Sequence, residues 1–125
     1  MGRRVGLFIV DDEPDVRMLI SLIVKSADRG LVVTGEAESG DDALIDGCLG
    51  DAHVVVLDQM MPGLSGTETA TRLRAEHPHL GLILCSAHLT DEIRALAEQA
   101  GVDVCLTKAQ IAQIPDEARR LAYTA

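Results

Sequence analysis

The sequence is short of aromatic and basic residues. Aromatic side chains make up 2% of its 125 residues, and 11 Lys and Arg stand against 20 Asp and Glu, which gives a formal net charge of −9. An acidic surface repels the phosphate backbone of nucleic acids, and so few rings leave no platform on which bases could stack. We therefore expect no direct binding of nucleic acid by this chain.

Cysteines are also few, and long hydrophobic runs are absent. Cys48, Cys85 and Cys105 are odd in number and widely spaced, which favours free thiols in a reducing, cytoplasmic compartment over a disulfide framework. The longest apolar run, residues 18–24, is about a third of the length that crosses a membrane. No signal peptide is recognisable at the start of the sequence. We therefore expect no membrane association.

The sequence does contain enough apolar residues to form one core. They lie in strand-like and helix-like segments that alternate along the chain. Its length and its hydrophobic fraction of 47% predict a single domain, residues 1–125. The strand-like runs are residues 5–10, 31–36, 54–57, 81–86 and 104–107. The helical patterns are residues 14–27, 39–50, 66–77, 90–101 and 113–125.

This alternation predicts the fold class. Strands that are apolar on both faces are typical of a parallel sheet covered by helices on both sides. Right-handed crossovers then give an α/β protein, a three-layer α/β/α sandwich with a five-stranded sheet. On the first helix, Val16, Leu19, Ile20, Ile23 and Val24 share one face, which is expected to be buried.

Polar residues follow four of the five strands. Asp11 and Asp12 come after the first strand, Asp58 after the third and Lys108 after the fifth, while Ser86 ends the fourth. Each alone has an ordinary explanation, as a helix cap, a turn acid or a solvated lysine. Ligands of such sheets bind beyond the carboxyl ends of the strands. The location of these five polar residues at that same edge therefore predicts a functional site.

The residue types indicate the chemistry. Three carboxylates close together repel one another unless a cation joins them, and an oxygen-rich set without histidine suits Mg²⁺. Asp58 is then the candidate nucleophile, which would form an acyl phosphate. Mg²⁺ and the Lys108 ammonium would neutralise the phosphoryl oxygens, and Ser86 could hydrogen-bond the new phosphoryl group.

Four segments together resemble the receiver domains of bacterial two-component response regulators. They are "FIVDDEP", "VVVLDQMMPGLSG", "ILCSAH" and "CLTK", and the resemblance covers almost the whole chain. It implies a flavodoxin-like strand order, 2-1-3-4-5, and a phosphoprotein that accepts phosphate on Asp58 from a sensor histidine kinase or phosphotransfer protein. It also implies Mg²⁺ bound by Asp12, Asp58 and the backbone carbonyl of Met60, with Asp11 ligating through water.

The resemblance extends to output. Lys108 would contact the phosphoryl group, and Ser86 would be the switch hydroxyl that couples the site to the face of the fourth helix, fifth strand and fifth helix. A downstream protein or output domain would bind that face, and a homodimer formed on phosphorylation is a further hypothesis. The domain would be a phosphate acceptor rather than a turnover enzyme.

Two positions depart from the family pattern. Cys105 stands where the family usually has Tyr or Phe, and a small thiol cannot act as a ring that swings between buried and exposed positions. Ala109 stands where the family usually has proline in a cis peptide, so the turn is expected to be trans, because a non-proline cis bond costs about 2.5–4 kcal/mol. Met60 and His88 occupy positions that tune phosphoryl lifetime in the family.

Three functions compete at this stage. The favoured one is the phosphorylatable switch. The second, supported by Cys105 and Ala109, is a protein-docking module that works without phosphate, a pseudo-receiver. The third is an enzyme, but phosphatases of the haloacid dehalogenase type need a second Asp where Met60 stands, and no glycine-rich nucleotide-binding motif occurs.

Overall fold

The computed structural model describes residues 4–27 and 30–124, with Thr124 described by its backbone alone. Ten regular elements alternate along these described residues. They are β1 (Val5–Val10), α1 (Pro14–Ala27), β2 (Leu31–Ala37), α2 (Gly40–Ala43), β3 (Val54–Leu57), α3 (Gly66–Glu76), β4 (Gly81–Ser86), α4 (Asp91–Ala100), β5 (Val104–Thr107) and α5 (Ile114–Thr124). A 3₁₀-helix, Lys108–Gln113, joins β5 to α5.

All five strands are parallel, and their order in the sheet is β2-β1-β3-β4-β5. Alternate strand residues point to opposite faces. One face, which carries Phe8, packs against Leu73 of α3 and Ala97 of α4. The other packs against Ile20 of α1 and Ile114 of α5. The predicted three-layer sandwich and its flavodoxin-like order are therefore confirmed.

The central strands are buried and the β2 edge is not. Every residue of β1, β3 and β4 is buried, whereas β2 is partly exposed and has a bulge opposite Leu7 and Phe8. A Cβ on Gly35 of β2 would lie 2.8 Å from the Phe8 ring, so only glycine leaves room for that ring. A bulge of this kind bends an edge strand, which hinders pairing with another chain.

The second helix is shorter than the sequence predicted. Ser39 is the N-cap, as expected, and its hydroxyl accepts a hydrogen bond from the Asp42 N–H at 3.1 Å. The helix nevertheless ends at Ala43, and residues 44–51 form turns, so the predicted helix over 39–50 is wrong. Gly47 and Gly50 have φ of 78° and 57°, values that glycine adopts easily, and each glycine disfavours a helix by about 1 kcal/mol.

Helix α1 has the predicted bounds but a narrower buried face than expected. Ile20 and Val24 are buried, whereas Leu19, predicted to face the core, is about half exposed. Met18 and Leu22 are exposed as well, at 63% and 55%. We call Met18, Leu19 and Leu22 the α1 apolar patch. The sheet therefore uses only part of the apolar surface that this helix offers.

The 3₁₀-helix after β5 was not predicted. It begins at Lys108, and the Gln110 Oε1 accepts a hydrogen bond from the Thr107 N–H at 3.0 Å. Peptide bonds in the part of the chain that the structure describes are all trans, so the turn at Ala109 is trans, as expected. In the same described residues, no helix combines the length and apolar character needed to cross a membrane.

Candidate functional site

Three of the sequence-predicted residues meet beyond the carboxyl ends of the strands. The Lys108 Nζ lies 2.7 Å from the Asp11 Oδ2 and 3.9 Å from the Asp58 Oδ1. The backbone N–H groups of Asp11 and Asp58 still donate to strand carbonyls, those of Ala37 and Val10, at 3.1 and 3.0 Å. The sheet therefore holds both acids in place, and one ammonium lies between carboxylates from two different strands.

A second acidic grouping lies at the start of α1. The carboxylates of Asp11, Asp12 and Glu13 each have an oxygen within 4.8 Å of the others, and the Glu13 N–H donates to the Asp11 Oδ1 at 2.9 Å. Asp11 is buried, Asp12 half-buried and Glu13 exposed. Oxygen donors of this kind suit a hard cation such as Mg²⁺. Glu13 was not among the predicted ligands, although it is the third consecutive acid in "DDEP".

Asp58 is buried, with 6% of its surface exposed. Burial raises its pKa from 3.8 to about 6, and the nearby Asp11 charge acts in the same direction. The Lys108 ammonium and the backbone N–H groups of Met60 and Gln59 lower the pKa but only partly offset burial. Asp58 is therefore ionised near neutral pH, the state that a nucleophilic carboxylate requires.

Lys108 remains a cation. Burial lowers its pKa, but the hydrogen bond to Asp11 and the charges of Asp58 and Asp11 outweigh that effect, so the pKa is raised above its ordinary value. A permanent positive charge at this position can neutralise an anionic group that arrives on Asp58.

Gly66 allows the first turn of α3 to approach Asp58 closely. A Cβ on Gly66 would collide with the Asp58 backbone carbonyl oxygen and would also meet the Leu84 side chain. Ser65 caps the helix, with its hydroxyl accepting from the Glu68 N–H at 3.1 Å. The helix therefore begins directly against the acid. Sequence reasoning missed this requirement, although the glycine in "PGLSG" was visible.

Gln59 is a further candidate for a functional residue that the sequence did not suggest. Its side chain is buried and makes two hydrogen bonds to Thr67: the Oε1 accepts from the Thr67 N–H at 2.8 Å and the Nε2 donates to the Thr67 Oγ1 at 3.2 Å. The only sequence signal was one amide side chain in an apolar run.

Ser86 is the last residue of β4, and Met60 lies in the loop that follows β3. Ser86 is fully buried, and its hydroxyl donates to the His88 backbone carbonyl at 3.3 Å. The side chains of Met60 and His88 are exposed. The switch role of Ser86 and the ligand role of the Met60 carbonyl stay predictions.

The cysteines are free, as the sequence indicated. Burial raises the pKa of Cys85 to about 11 and also raises that of Cys105, so both are neutral thiols at neutral pH. Cys85 packs on the α1 and α5 side of the sheet and Cys105 on the α3 and α4 side. Cys105, which replaces the usual ring, is half-buried and packs against the cluster on that side of the sheet.

Comparison with known proteins agrees with this geometry. The family model described as the response regulator receiver domain matches residues 7–118. The response regulator GacA of Pseudomonas protegens is 33% identical over 104 residues, which are 83% of this chain and 48% of that protein. The response regulator UvrY of Escherichia coli K12 is 31% identical over 121 residues, 96% of this chain and 55% of that protein.

A solved structure is similar over almost the whole chain. The signal receiver domain of the response regulator NarL from Mycobacterium tuberculosis has a TM-score of 0.87 and 27% identity, and the match covers 99% of this chain and 100% of that one. The chain spans about half the length of the curated relatives it matches. This chain belongs to the response regulator receiver domain family of two-component signalling.

Proposed function

We propose that this domain is a phosphoacceptor switch, and that Asp58 accepts the phosphoryl group of a phosphohistidine on a sensor histidine kinase or phosphotransfer protein. The observation that carries the proposal is the Lys108 ammonium lying 2.7 Å from Asp11 and 3.9 Å from Asp58. An Asp58 oxygen would attack phosphorus, a P–O bond would form, and the P–N bond to imidazole would break. The imidazole nitrogen keeps the bonding electrons and takes up a proton.

The acidic donor set supports a Mg²⁺ requirement. Asp12, Asp58 and the Met60 carbonyl would hold the ion, with Asp11 ligating through water. A bound Mg²⁺ supplies positive charge to the phosphoryl oxygens. The half-buried Asp12, the buried Asp11 and the exposed Glu13 supply excess negative charge, which a divalent cation would neutralise.

Lys108 and Ser86 would respond to the phosphoryl group. Lys108 is already 3.9 Å from Asp58, so its ammonium would need only a small shift to contact a phosphoryl oxygen. The Ser86 hydroxyl would leave the His88 carbonyl and donate to another phosphoryl oxygen. Both movements would reach the face of α4, β5 and α5, where we place a downstream protein or output domain. We also propose a cytoplasmic location, which suits free thiols and a kinase partner.

Phosphoryl labelling tests the proposal. With Mg²⁺ and a small phosphoramidate donor, we expect wild-type protein to gain one phosphoryl group by mass spectrometry. Asp58→Asn should gain none, because an amide is not a nucleophile of this kind, whereas Asp46→Asn, at an exposed acid in the turns after α2, should label like wild type. An unlabelled wild type beside a labelled control receiver, or a labelled Asp58→Asn, would contradict the proposal.

A docking module that works without phosphate is the second candidate. Cys105 in place of the usual ring, and the Ser86 hydroxyl bonded to His88, favour it. Asp58→Asn separates the two functions in a pull-down with a partner of the wild-type protein. A docking module would bind that partner equally in both forms, whereas a switch would lose the phosphate-dependent part of the binding.

A further inference from the structure

Gln59 satisfies the backbone donors at the start of α3 from outside that helix. The first N–H groups of a helix have no partner within it. Here the Gly66 N–H donates to the Gln59 backbone carbonyl at 3.0 Å, and the Thr67 N–H donates to the Gln59 Oε1 at 2.8 Å. Ser65 satisfies the next donor, the N–H of Glu68. Gln59 thus accepts hydrogen bonds from two N–H groups at the start of α3, whereas the hydroxyl of the cap residue Ser65 accepts from one.

These bonds close the loop that directly follows Asp58. One end of the loop is Asp58 and Gln59, and the other is Gly66 and Thr67. The Gln59 Nε2 adds a further bond to the Thr67 Oγ1 at 3.2 Å, and that oxygen lies 3.3 Å from the Ser65 Oγ. The two ends of the loop formed by residues 60–65 therefore stay together while Gln59 and Thr67 remain joined.

The backbone held by Gln59 is the backbone that contacts Asp58. The N–H groups of Gln59 and Met60 both interact with the Asp58 carboxylate, and the carbonyl of Met60 is the proposed Mg²⁺ ligand. A shift of this segment would change the orientation of the carboxylate and of the carbonyl together. A buried amide also costs free energy unless it is hydrogen-bonded, and an apolar side chain would avoid that cost.

We propose that Gln59 is a positioning residue: its bonds to Thr67 hold the segment from Asp58 to Met60 in the geometry that binds Mg²⁺. The inference rests on the proposed function because it assumes a metal at that site. The Gln59 side chain is bonded to Thr67, so it would act through Asp58 and Met60 and not by contact with the metal or the phosphoryl group.

Titration calorimetry with MgCl₂ tests this role. Gln59→Leu keeps the size of the side chain and removes both bonds, and we expect it to weaken Mg²⁺ binding about tenfold, as outer-shell substitutions do. Thr67→Val keeps the N–H bond to Gln59 and removes the Oγ1, which ends the Gln59 Nε2 bond and the contact with the Ser65 Oγ. We therefore expect a smaller loss, about threefold. Thr67→Val also carries the test if Gln59→Leu does not fold.

Thr69→Val is the matched control. Thr69 is also buried in the first turns of α3, and its hydroxyl donates to the Ser65 carbonyl at 2.8 Å. This variant loses one buried hydrogen bond of the same helix without touching Gln59, so its Mg²⁺ affinity should stay within about twofold of wild type. Equal weakening by Thr69→Val, or unchanged affinity in Gln59→Leu and Thr67→Val, would overturn the role of Gln59.

These titrations and the labelling assay, repeated with the phosphoryl mimic beryllofluoride, together separate this inference from the proposed function. A wild type that binds Mg²⁺ but takes up neither phosphate nor beryllofluoride would overturn the phosphoacceptor function, and the Mg²⁺ affinities of the variants would still decide the role of Gln59. A wild type that does not bind Mg²⁺ would overturn both.

Discussion

Asp58 is the residue on which two opposing effects meet. Burial favours the neutral carboxyl, and the ammonium of Lys108 favours the carboxylate. Burial prevails in part, and the pKa of Asp58 is about 6 instead of 3.8. The fold therefore tolerates the charge of Asp58 at a cost in stability, which is typical of a functional carboxylate.

This raised pKa predicts how stability depends on pH. Because the folded pKa lies above the unfolded one, the contribution of Asp58 to the free energy of unfolding is full below pH 3.8 and is lost as pH rises through about 6. Asp58→Asn carries no charge at any pH. We therefore expect the free energy of unfolding of Asp58→Asn, measured relative to wild type, to be greater at pH 8 than at pH 5. The expected change is about 1 kcal/mol without divalent ions.

Urea unfolding of both proteins at pH 5 and pH 8 measures this difference. Asp46→Asn removes one carboxylate at an exposed position and is the control for the loss of an acidic charge. A free-energy difference between wild type and Asp58→Asn that is the same at both pH values would disprove the prediction.

At the scale of the element, α1, the helix that follows Asp11 and Asp12, exposes an apolar surface. The helix begins at Pro14, three residues after Asp11, and its apolar patch includes Met18 and Leu22, both more than half exposed. A protein that brings a phosphohistidine to Asp58 would pass close to the first turns of α1. Exposed apolar side chains at such a position are typical of a docking surface.

Substitution of this patch should slow transfer from a protein donor alone. We expect Met18→Ser with Leu22→Ser to reduce the rate of phosphotransfer from a histidine kinase about tenfold, the size of one strong interface contact. Labelling by a small phosphoramidate should be unchanged, because that donor needs no docking surface. Phosphotransfer assays with the labelled kinase measure the first rate.

Leu96→Ser is the matched control for the patch. Leu96 is 49% exposed on α4 and Leu22 is 55% exposed on α1, so the control removes one comparably exposed leucine from a different surface. Equal slowing by Leu96→Ser, or slower phosphoramidate labelling in the α1 variant, would show that the patch is not a docking surface.

At the scale of the whole molecule, the sheet joins two cores and collects the polar residues at one edge. The net charge of −9 makes two copies repel, and salt screens that repulsion. If phosphorylation remodels the face of α4, β5 and α5, a dimer through that face should form when Asp58 is modified. We expect sedimentation velocity to show a monomer without beryllofluoride and a dimer with beryllofluoride and Mg²⁺.

Two variants assign the interface. Leu96→Glu introduces a charge on α4 and should prevent the dimer, whereas Leu22→Glu on α1 changes an equally exposed leucine and should not. Asp58→Asn should remain monomeric with beryllofluoride. A wild type that stays monomeric under all conditions would reject the dimer hypothesis.

Much of the architecture was readable from local patterns. Five apolar runs bounded by turns predicted the strands, and the bounds of β1, β3, β4 and β5 agree with the structure. The prediction of a helix over 39–50 was wrong because Gly47 and Gly50 adopt left-handed backbone. The Ser39 cap predicted where the helix begins but not where it ends. The 3₁₀-helix that begins at Lys108 was not predicted. Its first turn is stabilised by the side chain of Gln110, and a glutamine by itself does not indicate a helix start.

The sequence by itself determined the layer order of the fold and which residue types stand after each strand, because periodicity and chain order are local properties. Only the tertiary structure decided that Lys108 lies between Asp11 and Asp58, how far burial raises the pKa of Asp58, and that Gln59 joins its loop to Thr67. Those properties depend on distances between segments up to 97 residues apart, and such distances exist only once the sheet has formed.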